Sequence, residues 1–270
     1  MRFVRKFLFS IILLAMAACA TQPAAPLTEV KTIGLVSALG DELEVIGVGT
    51  TVFQNKEAAI DVSNWEVDEM VLTHLAEKLG ERYRIVDVDY DEDAIISEQQ
   101  KKAKAFFGST VGLNDMFRDQ IQLTDKVLEA EVDAYVVIVP SPQNWYGLRG
   151  NPTFFGPGIY SSSFLGSRNT FMYLGAAMVV VDAKSFAEKR FSALLPAYKN
   201  TGEGHSHFAR GLDNELLSAD SDQVSEEDQD ALKAEFITLM KDSINWTLEQ
   251  VGLTFDSSSS IKESSSKQGD

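Results

Sequence analysis

The 270-residue sequence has a single cysteine, Cys19. No disulfide can form within one chain, so any core must hold by packing alone. Histidine is almost as scarce, with His74, His205 and His207 only. There is no Gly-x-x-x-x-Gly-Lys-Ser/Thr, no Gly-x-Gly-x-x-Gly opening a helix, no Gly-x-Ser-x-Gly and no His-Glu-x-x-His. The motif-bearing routes to phosphate, dinucleotide, serine-ester and zinc-peptidase chemistry are therefore missing. Basic residues are few, with 24 Lys and Arg against 40 Asp and Glu, a formal charge of −16. So acidic a surface argues against nucleic acid and against adsorption of the body onto anionic lipid. No repeat at solenoid periods is present. The most apolar run, Phe7 to Ala18, falls short of the roughly 20 residues that span a bilayer.

That run has a clear alternative use. Arg2, Arg5 and Lys6 precede it, only Ser10 interrupts Phe7 to Ala15, and small residues lead into Cys19. A positive start, an apolar middle and a small-residue exit describe a secretory signal peptide, expected over 1–18. Met16-Ala17-Ala18-Cys19 resembles the lipobox of bacterial lipoproteins, with Met where Leu is commonest. The resemblance implies a diacylglycerol on the Cys19 sulfur, cleavage before that residue, and acylation of the new amino group. Two buried chains already give stable attachment. Ala20, rather than Asp, implies by the same analogy the outer membrane, facing the periplasm. The other reading is an ordinary signal peptide and a free thiol, a liability in an oxidising compartment. Loss of Arg2, Arg5 and Lys6 moves the charge from −16 to −19. Residues 19–30 then form a lipid-anchored linker, 31–253 a single domain, and 254–270 a Ser-rich tail expected to be disordered. Ser264-x-x-Lys267 in that tail matches an acyl-enzyme pattern by chance, because a nucleophile needs a fixed base and a dry pocket.

The domain reads as mixed strands and helices. Residues 31–39 and 42–49, divided by Gly40-Asp41, read as a β-hairpin. Ser63-Asn64-Trp65-Glu66 has capping-box spacing, and Val67, Met70, Val71, Leu75 and Leu79 predict a helix over 65–79 stopped by Gly80. Strands are expected over 82–90, 133–140, 171–183 and 186–196, the last an outer strand ended by Pro196. Helices are expected near 92–107 and 114–130. A long closing helix, 226–251, carries a stripe from Leu232 through Phe236, Met240 and Ile244 to Val251. The sum is an α/β or α+β domain: a mixed sheet of five or six strands with helices packed on it. The strand "RYRIVDVD" after a helix, the run at 133–139, the "AMVVVDAKSF" turn and the final "VGL" give an element order. That order resembles periplasmic envelope lipoproteins of the curli-secretion type and the activators of penicillin-binding proteins. It implies fold alone and carries no residue role.

Few residues point to chemistry. His205 and His207 are two apart and share one side of an extended chain, near Glu203 and Asp213. Zinc needs three or four ligands, so no metal site and no cofactor are expected. His74 falls on the helix as a packing residue. "DVDYDED" (87–93) lacks the glycine and glutamate an EF-hand loop needs. The stretch that looks built for contact is 141–171, with five glycines, three prolines, seven aromatics and no acid. It reads as a long loop without a clean alternating strand. It would either fold its aromatics into its own domain or present Trp145, Tyr146, Arg149, Phe154, Phe155, Tyr160 and Arg168 to a partner. Insertion into a membrane or an oligomer is a third use. The expectation is a non-enzymatic, outer-membrane-anchored periplasmic lipoprotein that binds or assembles a protein partner of the cell envelope, with no nucleic acid. The alternatives are a ring-forming secretion lipoprotein, or a hydrolase using His205 and His207.

Overall fold

The computed structural model describes residues 27–106, 131–144, 148–165, 167–194, 209–212 and 226–254. The signal peptide, Cys19, the expected 114–130 helix, His205, His207 and the Ser-rich tail lie outside them.

One strand organises the molecule. β9 (Ser167–Asp182) runs sixteen residues, roughly 50 Å at strand spacing. Its alternation is unbroken. Met172, Leu174, Ala176, Met178 and Val180 face one core, while Val179 and Val181 face a second and Phe171 and Tyr173 a third. A strand buried on both faces must be apolar throughout, which is why this segment reads as a continuous hydrophobic run.

β9 carries two half-sheets end to end. Along its C-terminal half lie β5 (Ala134–Pro140), then β1 (Thr32–Ser37), then β4 (Arg84–Val86), with β10 (Glu188–Ala193) on β9's other side. Along its N-terminal half lie β8 (Gly156–Phe164), β2 (Glu42–Val48) and β3 (Lys56–Asp61), with β11 (Ala209–Gly211) opposite. This nine-stranded mixed sheet bears out the α/β class and exceeds the five or six strands expected. A two-stranded ribbon, β6 (Gln143–Asn144) with β7 (Thr153–Phe154), lies apart.

Helix α1 (Val67–Leu79) and the closing helix α3 (Glu226–Gln250) cover one face. Val67, Val71, Leu75 and Leu79 meet Phe236, Met240 and Ile244 in the main core, with Trp65 against Phe236 at 5.9 Å between ring centroids. Helix α2 (Glu92–Phe106) covers the other face of the half-sheet along the C-terminal half of β9 through Ile95.

Several local expectations are corrected. β1 and β2 do not pair. β1 lies between β4 and β5, and the true hairpin is β2–β3. The turn 39–41 shifts the chain from one half-sheet to the other, so two strands with a turn signal between them sit end to end. The capping box does not form. Residues 63–65 make a 3-10 turn, and Glu66 enters the helix at φ 54 without a side-chain cap. Gly80 is right-handed, not the left-handed stop expected. The 82–90 strand contracts to 84–86, after which Tyr90 donates its hydroxyl to the Ser37 carbonyl at 2.9 Å. Residues 141–171 are largely strand, not a long loop: β6, β7, β8 and the start of β9. Small residues (Gly156, Gly158, Ser161, Ser162, Ser163) hid β8 from a reading based on apolar alternation.

Candidate functional site

The aromatics of 141–171 divide by fate. Phe154 and Tyr160 are fully buried. Phe154 stacks on Tyr173 at 4.0 Å and meets Tyr160 and Phe171 edge-on. Gly175 lets the Phe154 backbone approach, since a Cβ there would meet it at 3.0 Å. Phe154 and Tyr160 thus belong to a third core on the half-sheet along the N-terminal half of β9, and their expected direct contact with a partner is corrected. Their burial stabilises the hairpin by about 2 kcal/mol or more apiece. Phe155 points elsewhere, into the cleft described below. Trp145 and Tyr146 lie outside the described residues.

Arg149 and Arg168 lead to the exposed end. β2 and β8 run parallel, Val48 opposite Ser162. The β2–β3 connection, residues 49–55, therefore sits beside Leu165, where β8 turns toward β9. Arg149 ties the two together. Its guanidinium donates to the Ser163 carbonyl and to the Thr50 carbonyl, each at 2.7 Å, and lies 4.6 Å from the centroid of the Phe164 ring. Tyr160, from the core beneath, donates its hydroxyl to the Arg149 carbonyl at 2.7 Å. Arg168 is opposite Ser163 and donates through Nε to the Ser161 hydroxyl at 3.0 Å.

This clamp supports three large apolar side chains in solvent. Phe53 is 95% exposed, Leu165 82% and Phe164 53%. Leu165 sits at φ 49, in the left-handed region that a branched-chain hydrophobe enters at a cost. Phe53 and Leu165 escaped the sequence reading. Their only signal is a large apolar residue within a turn: Phe53 between Gly49 and Asn55, Leu165 before Gly166.

A cleft of about 630 Å³ opens at the seam between the half-sheets. Leu39, Ile96, Pro140 and Phe155 give it apolar surface; Glu44, Glu57 and Glu92 are among its acids. Glu44 accepts the Tyr173 hydroxyl at 2.7 Å. Burial raises its pKa, and burial also pushes the Tyr173 phenol well above its ordinary range. Gly158 makes room for this pair, since a Cβ there would meet the Tyr173 hydroxyl at 2.4 Å. Glu92, desolvated and next to Asp68, is pushed up to about 7. Asp68 itself accepts the Ser37 hydroxyl and the backbone N–H groups of Leu39 and Gly40. It fixes the turn that separates the half-sheets. An acid pair between residues 24 positions apart on different helices has no local sequence signal.

His74 is buried between α1 and α3, its Nε2 3.0 Å from the Asn245 side-chain oxygen, and burial lowers its pKa. Among the described residues no group of three or more His, Cys, Asp or Glu is placed to hold a metal ion. No described helix is long and apolar enough to cross a membrane. No protein-family model matches the chain, and no curated protein matches it either.

Proposed function

We propose that the chain is a lipid-anchored binding protein of the bacterial envelope, attached through Cys19 to the outer membrane and facing the periplasm. It acts by contact, not by catalysis. The contact surface is the end of the β8–β9 hairpin with the neighbouring β2–β3 connection. Arg149 and Arg168 brace it, and Phe53, Phe164 and Leu165 reach outward from it. The observation that supports this most is Leu165: a large apolar residue, 82% exposed, at φ 49. Neither burial nor backbone preference accounts for it, so its selection points to an interaction outside the domain.

The first described residues and the contact surface lie at opposite ends. Residues 31 and 32 bind Asp133 at the base, where Ala134 faces Asp182, the last residue of β9. The hairpin turn precedes the first residue of β9. The described chain therefore begins at the end of the sheet farthest from the hairpin.

The test is in-cell photocrosslinking from positions 53, 164 and 165, with exposed α3 positions 241 and 242 as controls. The hairpin positions are expected to give discrete adducts that the controls do not. Equal labelling at both sets would overturn the assignment. Metabolic labelling with palmitate tests the anchor separately: incorporation that Cys19→Ser abolishes is expected, and an unlabelled parent chain would refute it.

A further inference from the structure

Among the described residues four large hydrophobics are strongly exposed, and three of them, Phe53, Phe164 and Leu165, are at the hairpin end. The charge there is opposite to that of the chain. Residues 49–56 and 148–170 contain no Asp or Glu, while Lys56, Arg149 and Arg168 supply cations to a chain of −16. Ser161, Ser162, Ser163, Thr50 and Thr51 fill the remaining positions. Apolar side chains on turns, set in small polar residues and ringed by cations, match the layered chemistry of a bilayer surface: acyl boundary, polar headgroup, negative phosphate. A protein pocket would instead call for a shaped, desolvated anchor, whereas Phe53 comes from the β2–β3 connection and Phe164 and Leu165 from the end of β8, all exposed.

We propose that the hairpin end is a bilayer-surface contact. Phe53, Phe164 and Leu165 enter the headgroup and acyl boundary, and the cations meet lipid phosphates. The inference rests on the reading of this end as the contact surface and names its partner as lipid. The acidic body does not forbid the contact. The cleft begins at Gly156 and the turn follows Phe164. The cleft's acids nearest the turn, Glu57 and Glu44, lie level with Tyr160 and Gly158, four and six strand steps from Phe164, roughly 13 and 20 Å and more than one Debye length at physiological salt.

Affinity selects which bilayer. Three partly inserted side chains give a dissociation constant on the order of 1 mM in lipid, too weak to recruit a free protein. Tethering makes a contact of this strength useful, because it raises the effective concentration at the bilayer that holds the anchor. From Cys19 to Leu27 the chain can extend about 27 Å, which lets the base stand off the surface while the roughly 50 Å sheet tilts its hairpin end onto it. The hairpin end thus sets the orientation of an anchored domain.

The experiment is flotation of the chain from residue 19 onward carrying Cys19→Ser, so that no acyl chain masks a weak contact. The vesicles are phosphatidylethanolamine with about a quarter phosphatidylglycerol, at lipid concentrations from about 0.1 to 10 mM around the expected midpoint. Half-saturation near 1 mM is expected, with the bound fraction falling at least about tenfold in Phe53→Ser/Phe164→Ser/Leu165→Asn. Thermal unfolding checks that this variant is folded, and the single variant Leu165→Asn, expected to fold at least as well as the parent, should alone weaken flotation by about threefold or more. A parent that stays with the soluble fraction throughout, or variants that float as well as the parent, would overturn the proposal. If the parent fails to float while the hairpin crosslinks to a protein in cells, lipid is the wrong partner and the contact surface stands. If neither is seen, both readings fall.

Discussion

Replacing Leu165 by asparagine should make the domain more stable while weakening its contact. A leucine in the left-handed region costs about 1 kcal/mol, whereas asparagine visits that region with little penalty. Against this gain stands the burial that Leu165 still has. At 82% exposure it retains less than a fifth of the roughly 2–3 kcal/mol that full burial confers, about 0.4 kcal/mol. The net is about 0.6 kcal/mol in favour of Leu165→Asn, a rise in Tm of about 1–2 °C for a domain of this size. Differential scanning calorimetry of parent and variant, with urea unfolding as a second measure, resolves a change of that size. A Tm that falls by about 2 °C or more would refute the reasoning. It would mean that Leu165 supports the folded monomer and was not retained for contact. A gain in stability with a loss of flotation is the trade-off expected of a residue kept for function.

Other consequences can be measured on the same protein. Glu92, raised from 4.5 to about 7, favours folding in its protonated form. That contribution is full below 4.5 and lost as pH rises through about 7. Glu92→Gln should therefore show a shallower loss of stability between about pH 5 and 8 than the parent, and an unchanged slope would sink the assignment. His74, whose lowered pKa acts in the opposite direction below 6.5, is common to both proteins and cancels in the comparison. Gly158→Ala would place a Cβ 2.5 Å from the Glu44 carbonyl oxygen. Chemical denaturation should record a loss of about 2–3 kcal/mol, and a loss under about 0.5 kcal/mol would show that β2 and β8 can separate freely.

What the sequence disclosed follows from the physics of each element. The closing helix was legible because twenty-five residues keep a 3.6-residue stripe, and β5 because seven consecutive buried residues can only be an interior strand. β8 was not legible. Its outer half, Ser161 to Ser163, has no apolar face to reveal a period of two, and its inner half needs Gly158 to admit Tyr173. The pairing of β2 with β8, over a hundred residues apart, has no local signature either, so the false β1–β2 hairpin was the natural local choice. The candidate site suffered doubly. The aromatic count of 141–171 singled out Phe154 and Tyr160, which are buried, since composition cannot tell a side chain that packs beneath a strand from one that crowns its turn. Arg149 and Arg168 were singled out as candidate partner contacts. Their role in joining and bracing turns was visible only once β2 and β8 lay side by side.

The segregation of charge along the sheet gives these features a common logic. If the acids of the cleft were spread to the hairpin end, each would oppose an anionic surface by about 1 kcal/mol, enough together to cancel the insertion of one or two apolar side chains. Were the cations of that end spread over the body, the domain would adsorb by any face and lose orientation. With Glu44 and Glu92 in the cleft and no acid in 49–56 or 148–170, the body would be repelled while one end is attracted. A continuous β9 separates the two regions rigidly, since it is paired along its length with β8 and then β5. The same separation explains why the strained Leu165 is tolerated. The Phe154, Tyr160, Phe171 and Tyr173 cluster fixes the hairpin beneath it, so the turn can carry an unfavourable residue without loosening the strands that position it.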